Sequence, residues 1–169
     1  MKQEKVNQDI VHHYKVETEL ARKLRNSSRE ERRELYKNVY NELFRFVPNH
    51  PQLTDEYQQS RKRIVNTEIK FIKGLLSKEK SFLEVGAGDC LMSNAVAKKV
   101  KEVIAVDVSN EIVDSAGRLK NIRIVLSNGT SIPIKPKSID IIYSNQLMEH
   151  LHPDDAVEQL SNIYNALKK

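Results

Sequence analysis

Two glycines close a short apolar run in Leu83-Glu84-Val85-Gly86-Ala87-Gly88-Asp89-Cys90, and Asp107 closes the next such run, 19 residues after Gly88. Glycines at the end of a strand permit a tight turn and let a ligand approach the backbone closely. A carboxylate at the end of the following strand, about 20 residues on, is placed to accept hydrogen bonds from ribose hydroxyls. Together they point to a ligand that carries a nucleoside. The fingerprint of a nicotinamide dinucleotide, G-x-G-x-x-G, needs a third glycine at position 91, which is Leu91 here, and gives Glu84 no part. Groups able to move a proton follow later, at Glu149, His150 and His152. Each also has a plain structural reading: Glu149 and His150 as hydrogen-bonding residues of a loop or helix start, and His152-Pro153-Asp154-Asp155 as a helix entry with Asp154 as cap or first-turn acid. His12, His13 and Tyr14 form a further group, read as a helix surface or as part of a lid over a cofactor. Histidine clusters suggest a metal, but no carboxylate or cysteine at ligand spacing is seen beside these, so no metal is expected. Cys90 is the single cysteine; it excludes an intramolecular disulfide and is read as a packed thiol, not a nucleophile.

These residues need elements to position them. From residue 81 on, apolar runs alternate with helical patterns. Strands are expected over 81–85, 102–106, 122–126 and 139–143, with helices over 91–100, 110–119 and 154–167. That alternation predicts a parallel sheet with right-handed crossovers, its ligand beyond the carboxyl ends of the strands where strand order reverses. The first 80 residues read as three amphipathic helices. The first places Ile10, Tyr14 or His13, Val16, Leu20 and Leu24 at helical spacing. The second starts at a capping box, Ser28 with Glu31. It carries Leu35, Val39 and Leu43 on one face, with Tyr36, Tyr40 and Phe44 beside them, and Arg29, Arg32, Arg33 and Lys37 on the other side, until Pro48 and Pro51 stop it. The third is capped by Thr54 or Asp55, with an apolar stripe of Tyr57, Ile64 and Phe71 joined by Val65, Ile69, Ile72 and Leu76. Residues 1–80 carry a net charge of +6 and residues 81–169 a net of −1. The chain is thus read as a helical lid or substrate-recognition region, 1–80, and a cofactor-binding core, 81–169.

Glu84-x-Gly86-x-Gly88, Asp107 at the next strand end, the stretch Ser127-Asn128-Gly129-Thr130-Ser131-Ile132-Pro133-Ile134 and the run Asp140–Leu151 with its Glu149-His150-Leu151 resemble, in order and spacing, a class I S-adenosylmethionine-dependent methyltransferase of the small-molecule branch. The resemblance covers residues 81 to about 167. It implies an α/β fold, a Rossmann-like parallel sheet with the N-terminal helices added, and S-adenosyl-L-methionine as cofactor. It places Gly86, Ala87 and Gly88 under the methionine part of the cofactor, with Glu84 orienting that loop or meeting the amino group. Asp107 would hold the ribose diol and Val108 would lie against the adenine. Asn128, beside Gly129, stands where the family has an aspartate, and its side-chain oxygen would accept from the adenine amino group. Asn145 and Gln146 would border the sulfonium. Cys90 stands where a third glycine is often found.

The family core has seven strands, and only the first four are present, so the fourth would be an apolar sheet edge. Either this is the N-terminal part of a longer protein, or self-association covers that edge. The expected activity is methyl transfer to a small-molecule acceptor. The alternatives are an RNA methyltransferase, with Arg29, Arg32, Arg33, Arg61, Lys62 and Arg63 on phosphates, and a non-catalytic cofactor-binding fragment. Glutamates among the arginines favour a solvated face, so nucleic acid is not expected as a partner. No run approaches the roughly 18 apolar residues of a membrane span, and the start lacks the apolar stretch of a secretory signal. The expected location is cytoplasmic.

Overall fold

The structure, a computed structural model, describes residues 2–109 and 119–169. The helix expected over 110–119 lies almost wholly outside the described residues. Two compact units divide the chain, Met1–Arg61 and Lys62–Lys169.

In the first unit, helix α1 spans Lys2–Asn26 and α2 spans Arg29–Phe46. The capping box forms as expected: the Glu31 N–H donates to Ser28 Oγ, and the Ser28 N–H donates to the Glu31 carboxylate. The inward stripe of α1 is His13, Val16, Leu20 and Leu24, while Ile10, Val11 and Tyr14 are exposed. On α2 the fully buried residues are Arg32, Tyr36 and Leu43. Arg32 corrects its expected place among the solvent-facing arginines. It lies one turn before Tyr36 on the inward stripe, and its guanidinium donates to the Ser27 carbonyl at 2.8 Å, just past the end of α1. A cation satisfies the unpaired carbonyls of a helix end well. Arg32 is therefore no phosphate contact. A single 3₁₀ turn, Pro51–Leu53, precedes helix α3, Asp55–Ile72. Thr54 caps α3, its Oγ accepting from the Tyr57 N–H.

The second unit begins within α3, earlier than the change of charge at residue 80. Val65 and Ile69 are buried with Phe82, Met92, Val96 and Val103, and apolar burial, not charge, groups residues into one unit. The inward stripe of α3 is Val65, Ile69 and Ile72. Ile64 and Phe71, expected in the stripe, are exposed, since they lie about 100° round the helix from it.

The sheet confirms the α/β reading. Strands β1 (Ser81–Val85), β2 (Glu102–Asp107), β3 (Ile122–Leu126) and β4 (Ile141–Ser144) pair in the order β3-β2-β1-β4, all parallel. Strand β1 is buried at every position, as a central parallel strand covered on both faces must be. Phe82 and Val103 face helix α4 (Leu91–Ala97) and α3, whereas Leu83, Val85, Ile104 and Val106 face Ile132, Ile134 and Ile163. Ile163 belongs to helix α5, Pro153–Ala166. Ile139, expected as the first residue of β4, instead makes an isolated parallel bridge with Leu167. Among the described residues β4 ends the sheet on one side.

A glycine-loop site at the carboxyl edge of the sheet

Because all four strands are parallel, their carboxyl ends share one edge. The register sets Val85 beside both Val106 and Ser144, and Asp107 beside Leu126. Strand order reverses between β1 and β4, so the loops after these two strands flank the crevice where such sheets take ligands.

The loop after β1 turns sharply. Gly86, Gly88 and Cys90 all have positive φ, at 75°, 47° and 53°. This alternation explains the glycine spacing, because a side chain at each such position costs backbone energy. The Gly86 and Ala87 N–H groups donate to the Val106 carbonyl at 2.8 and 3.1 Å. The Gly88 N–H donates to Asp107 Oδ2 at 2.8 Å. The other oxygen, Oδ1, accepts from the Val108 and Ser109 N–H groups at 2.7 and 3.0 Å. A carboxylate offers about four lone-pair positions. Among the described residues these bonds take two on Oδ1 and one on Oδ2, so Oδ2 keeps one. Sequence reasoning gave Asp107 to a ribose alone and missed its hold on the loop.

Glu84 is buried inside β1, and Ser93 of α4 donates its hydroxyl proton to Glu84 Oε2 at 2.6 Å. Cys90 is completely buried, and burial, with the carboxylates of Glu84, Asp107 and Asp89, pushes its thiol up to about 12. Such a thiol is protonated and inert at neutral pH. A Cβ on Gly88 would meet open space. A Cβ on Gly86 would come within 3.0 Å of the Leu147 side chain, so the obstacle there belongs to the protein itself.

The turn after β3 is tied inward. Asn128 Oδ1 accepts from the Thr130 N–H, the Thr130 hydroxyl and the Ser131 N–H, at 3.2, 3.3 and 3.0 Å. The turn is braced by α5: buried Gln159 donates to the Gly129 carbonyl and Asn162 to the Thr130 carbonyl, at 2.8 and 2.9 Å. Nothing in the sequence signalled those two braces, which join residues about 30 positions apart.

After β4, Asn145 donates to Glu68 Oε1 at 2.8 Å, and Gln146 has a positive φ of 52°. Asn145, Gln146 and Glu149 line one recess of about 380 Å³, with Ser144, Leu147 and Leu160. Leu147 both lines this recess and lies over Gly86. Glu149 and His150 sit exposed on a single 3₁₀ turn, Met148–His150. His152 Nδ1 accepts from the Asp154 N–H and so caps α5. The structure thus gathers Glu84, Gly86, Ala87, Gly88, Asp107 and Val108 round the loop after β1, and Asn145, Gln146 and Glu149 round the recess.

The family described as a methyltransferase domain matches residues 82–169. The chain is 34% identical over 88 residues to phosphoethanolamine N-methyltransferase 1 of Arabidopsis thaliana, covering 48% of this chain and 18% of that protein. It is 29% identical over 96 residues to the Triticum aestivum protein of the same name, covering 53% and 19%. The chain therefore spans about a fifth of the length of these curated relatives. Among solved structures it is similar to Haemonchus contortus phosphoethanolamine N-methyltransferase 1 in complex with phosphoethanolamine and S-adenosylhomocysteine. The TM-score is 0.65 at 18% identity, over 84% of this chain and 31% of that one, a likeness of fold alone. It is also similar to the YcgJ protein of Bacillus subtilis, with a TM-score of 0.55 at 25% identity, over 62% of this chain and 46% of that one. The family match takes in more than half of the sequence and all of the sheet but its first residue, Ser81, and by it the chain belongs to the class I S-adenosylmethionine-dependent methyltransferases.

Proposed function

We propose that this chain binds S-adenosylmethionine at the loop after β1 and serves methyl transfer to a small-molecule acceptor. The observation that carries the reading is the tie between the loop and Asp107: Gly88 is fixed by one carboxylate oxygen that still has a lone pair for a ribose hydroxyl. The fit is also steric, since the position of a Gly88 side chain is open space. When bound, the cofactor supplies an activated methyl group on a sulfonium. The chain's residues bind and orient it. Gly86, Ala87 and Gly88 present backbone to its methionine part, Glu84 ties β1 to α4, the two elements that the loop joins, through Ser93, and Val108 lies against the adenine. Asn128 would have to release one of its turn bonds to accept from an adenine amino group, so we assign it and Gly129 chiefly to the shape of the adenine side. Asn145 and Gln146 border the acceptor side. A general base is required only where the acceptor keeps its proton at neutral pH, and Glu149 and His150 are then the candidates. The reading of residues 1–80 as the acceptor-selecting lid belongs to this proposal.

Two curated relatives and one structural neighbour are phosphoethanolamine N-methyltransferases by name, so phosphoethanolamine is the acceptor to test first. For partners, β4, which ends the sheet among the described residues, and the exposed Val157, Leu160 and Tyr164 of α5 make the surface that a further segment or a second copy would cover. Among the described residues no helix is long and apolar enough to cross a membrane. The test is calorimetric titration with S-adenosylmethionine, with NAD as control, followed by a methyl-transfer assay on phosphoethanolamine. Binding of the first alone supports the site. No binding, or equal binding of NAD, overturns it.

A further inference from the structure

His13, Glu17 and His50 meet inside the first compact unit. Each offers one ligand-capable atom, and the three atoms lie within 4.8 Å of one another. Glu17 follows His13 by one helical turn on α1, which sets both on one face, and His13 Nε2 stands 3.2 Å from Glu17 Oε1. That approach is not aligned as a hydrogen bond, and His13 Nε2 is closed to solvent with no hydrogen-bond partner. His50 arrives from beyond α2, buried, its ring edge-on to His13 with centroids 4.5 Å apart. A buried ring nitrogen without a hydrogen bond, beside a carboxylate and a second imidazole, is a position short of one partner.

We infer that His13, Glu17 and His50 bind a divalent transition ion of the zinc class, which staples α1 to the turn after α2. Two imidazoles and a carboxylate are a ligand set for such ions. With metal–ligand bonds of about 2.0–2.2 Å, neighbouring ligands on a tetrahedral ion stand roughly 3.3 Å apart. The His13–Glu17 pair is already at that spacing, and no separation has to close by more than about 1.5 Å. The Glu17 side chain, half exposed, leaves the remaining coordination open to water. One existing contact opposes binding: His50 Nδ1 accepts from the Gln52 N–H at 3.1 Å. Ligation by Nε2 puts the proton on Nδ1 and ends that bond. A single neutral hydrogen bond is small beside bonds from three ligands to a metal. The staple also has a purpose, because the fully buried apolar residues described in this unit are Tyr36, Leu43 and Val47, and small cores gain most from a cross-link.

The experiment uses the tag-free full chain, freed of metal with a chelator. Addition of Zn²⁺ is expected to raise the melting temperature, and Co²⁺ to give the visible absorption of a low-coordinate site. Faster hydrogen exchange at the Gln52 amide is expected on binding. Glu17→Gln, which keeps shape on a half-exposed helix face, and His13→Gln are each expected to weaken Co²⁺ binding at least tenfold. No stabilisation and no absorption band would overturn the site. So would binding that both variants leave intact, which would place the ion elsewhere. His50→Ala is expected to abolish binding, and if that variant unfolds the other two decide.

Discussion

Asp107→Asn is the substitution that separates the two uses of this side chain. An asparagine keeps the shape and one oxygen, which can still accept from the Val108 and Ser109 N–H groups now 2.7 and 3.0 Å from Oδ1. Its amide nitrogen then faces the Gly88 N–H, donor against donor, where Oδ2 now accepts at 2.8 Å. A hydrogen bond to a charged group contributes about 1.5–3 kcal/mol. Asp107 is half-buried, so the lower end applies, roughly 1.5 kcal/mol, or about tenfold in the opening equilibrium of the loop. Amide hydrogen exchange reads this directly. The Gly88 amide is expected to exchange about tenfold faster in the variant, with Val108 and Ser109 nearly unchanged. Equal protection of Gly88 in both proteins, or equal loss at all three amides, would refute the clamp. Calorimetry tests the second use. Asp107→Ala is expected to weaken S-adenosylmethionine binding at least tenfold, since both the loop tie and a ribose contact are lost at about 1 kcal/mol or more each. Unchanged affinity would make Asp107 purely structural.

Gly86→Ala should destabilise more than Gly88→Ala in denaturant titrations. Both bear positive-φ strain of about 1–2 kcal/mol, but only Gly86 also meets Leu147. Adding Leu147→Ala to Gly86→Ala should relieve the steric excess measured against Leu147→Ala alone, and a purely additive result would remove the contact from the account. Cys90 should resist thiol reagents in the folded protein and react only in denaturant, because burial holds its thiol up at about 12; rapid native labelling would contradict its packing. Asp140 accepts from Lys168 and from the Ser81 N–H and hydroxyl, and these donors, Lys168 first, hold its carboxyl below the usual range. Its contribution is therefore full above its unfolded value of about 3.9 and is lost as pH falls from there toward the lower folded value. Melting curves of Asp140→Asn across that acid range should fall less steeply than those of the parent, and parallel curves would show that the ties contribute nothing.

The glycine loop and the sheet were legible because each rests on local patterning. Apolar runs separated by helical periods fix a parallel sheet, and the Gly86 and Gly88 spacing marks positions where φ is positive. The braces on the Asn128 turn were not legible, since Gln159 and Asn162 reach it across about 30 residues with no periodic signal at either end. The edges of the helical stripes were misread for a different reason. Ile64 and Phe71 continue the seven-residue spacing from Tyr57, but so do Val65 and Ile72 from one another, and the stripe that α3 buries is Val65, Ile69 and Ile72.

Two charged residues share one further lesson. Arg32 and Glu84 would each be assigned to solvent by charge alone. Register says otherwise, because Arg32 lies one turn before buried Tyr36 and Glu84 continues a fully buried strand. A charge on a buried register needs a partner there, since an unpaired buried charge is costly. The structure supplies the Ser27 carbonyl to Arg32 and the Ser93 hydroxyl to Glu84. The buried Nε2 of His13 is a polar atom without a hydrogen bond of its own, and the ion proposed between it, the half-exposed Glu17 and His50 is the partner that completes it.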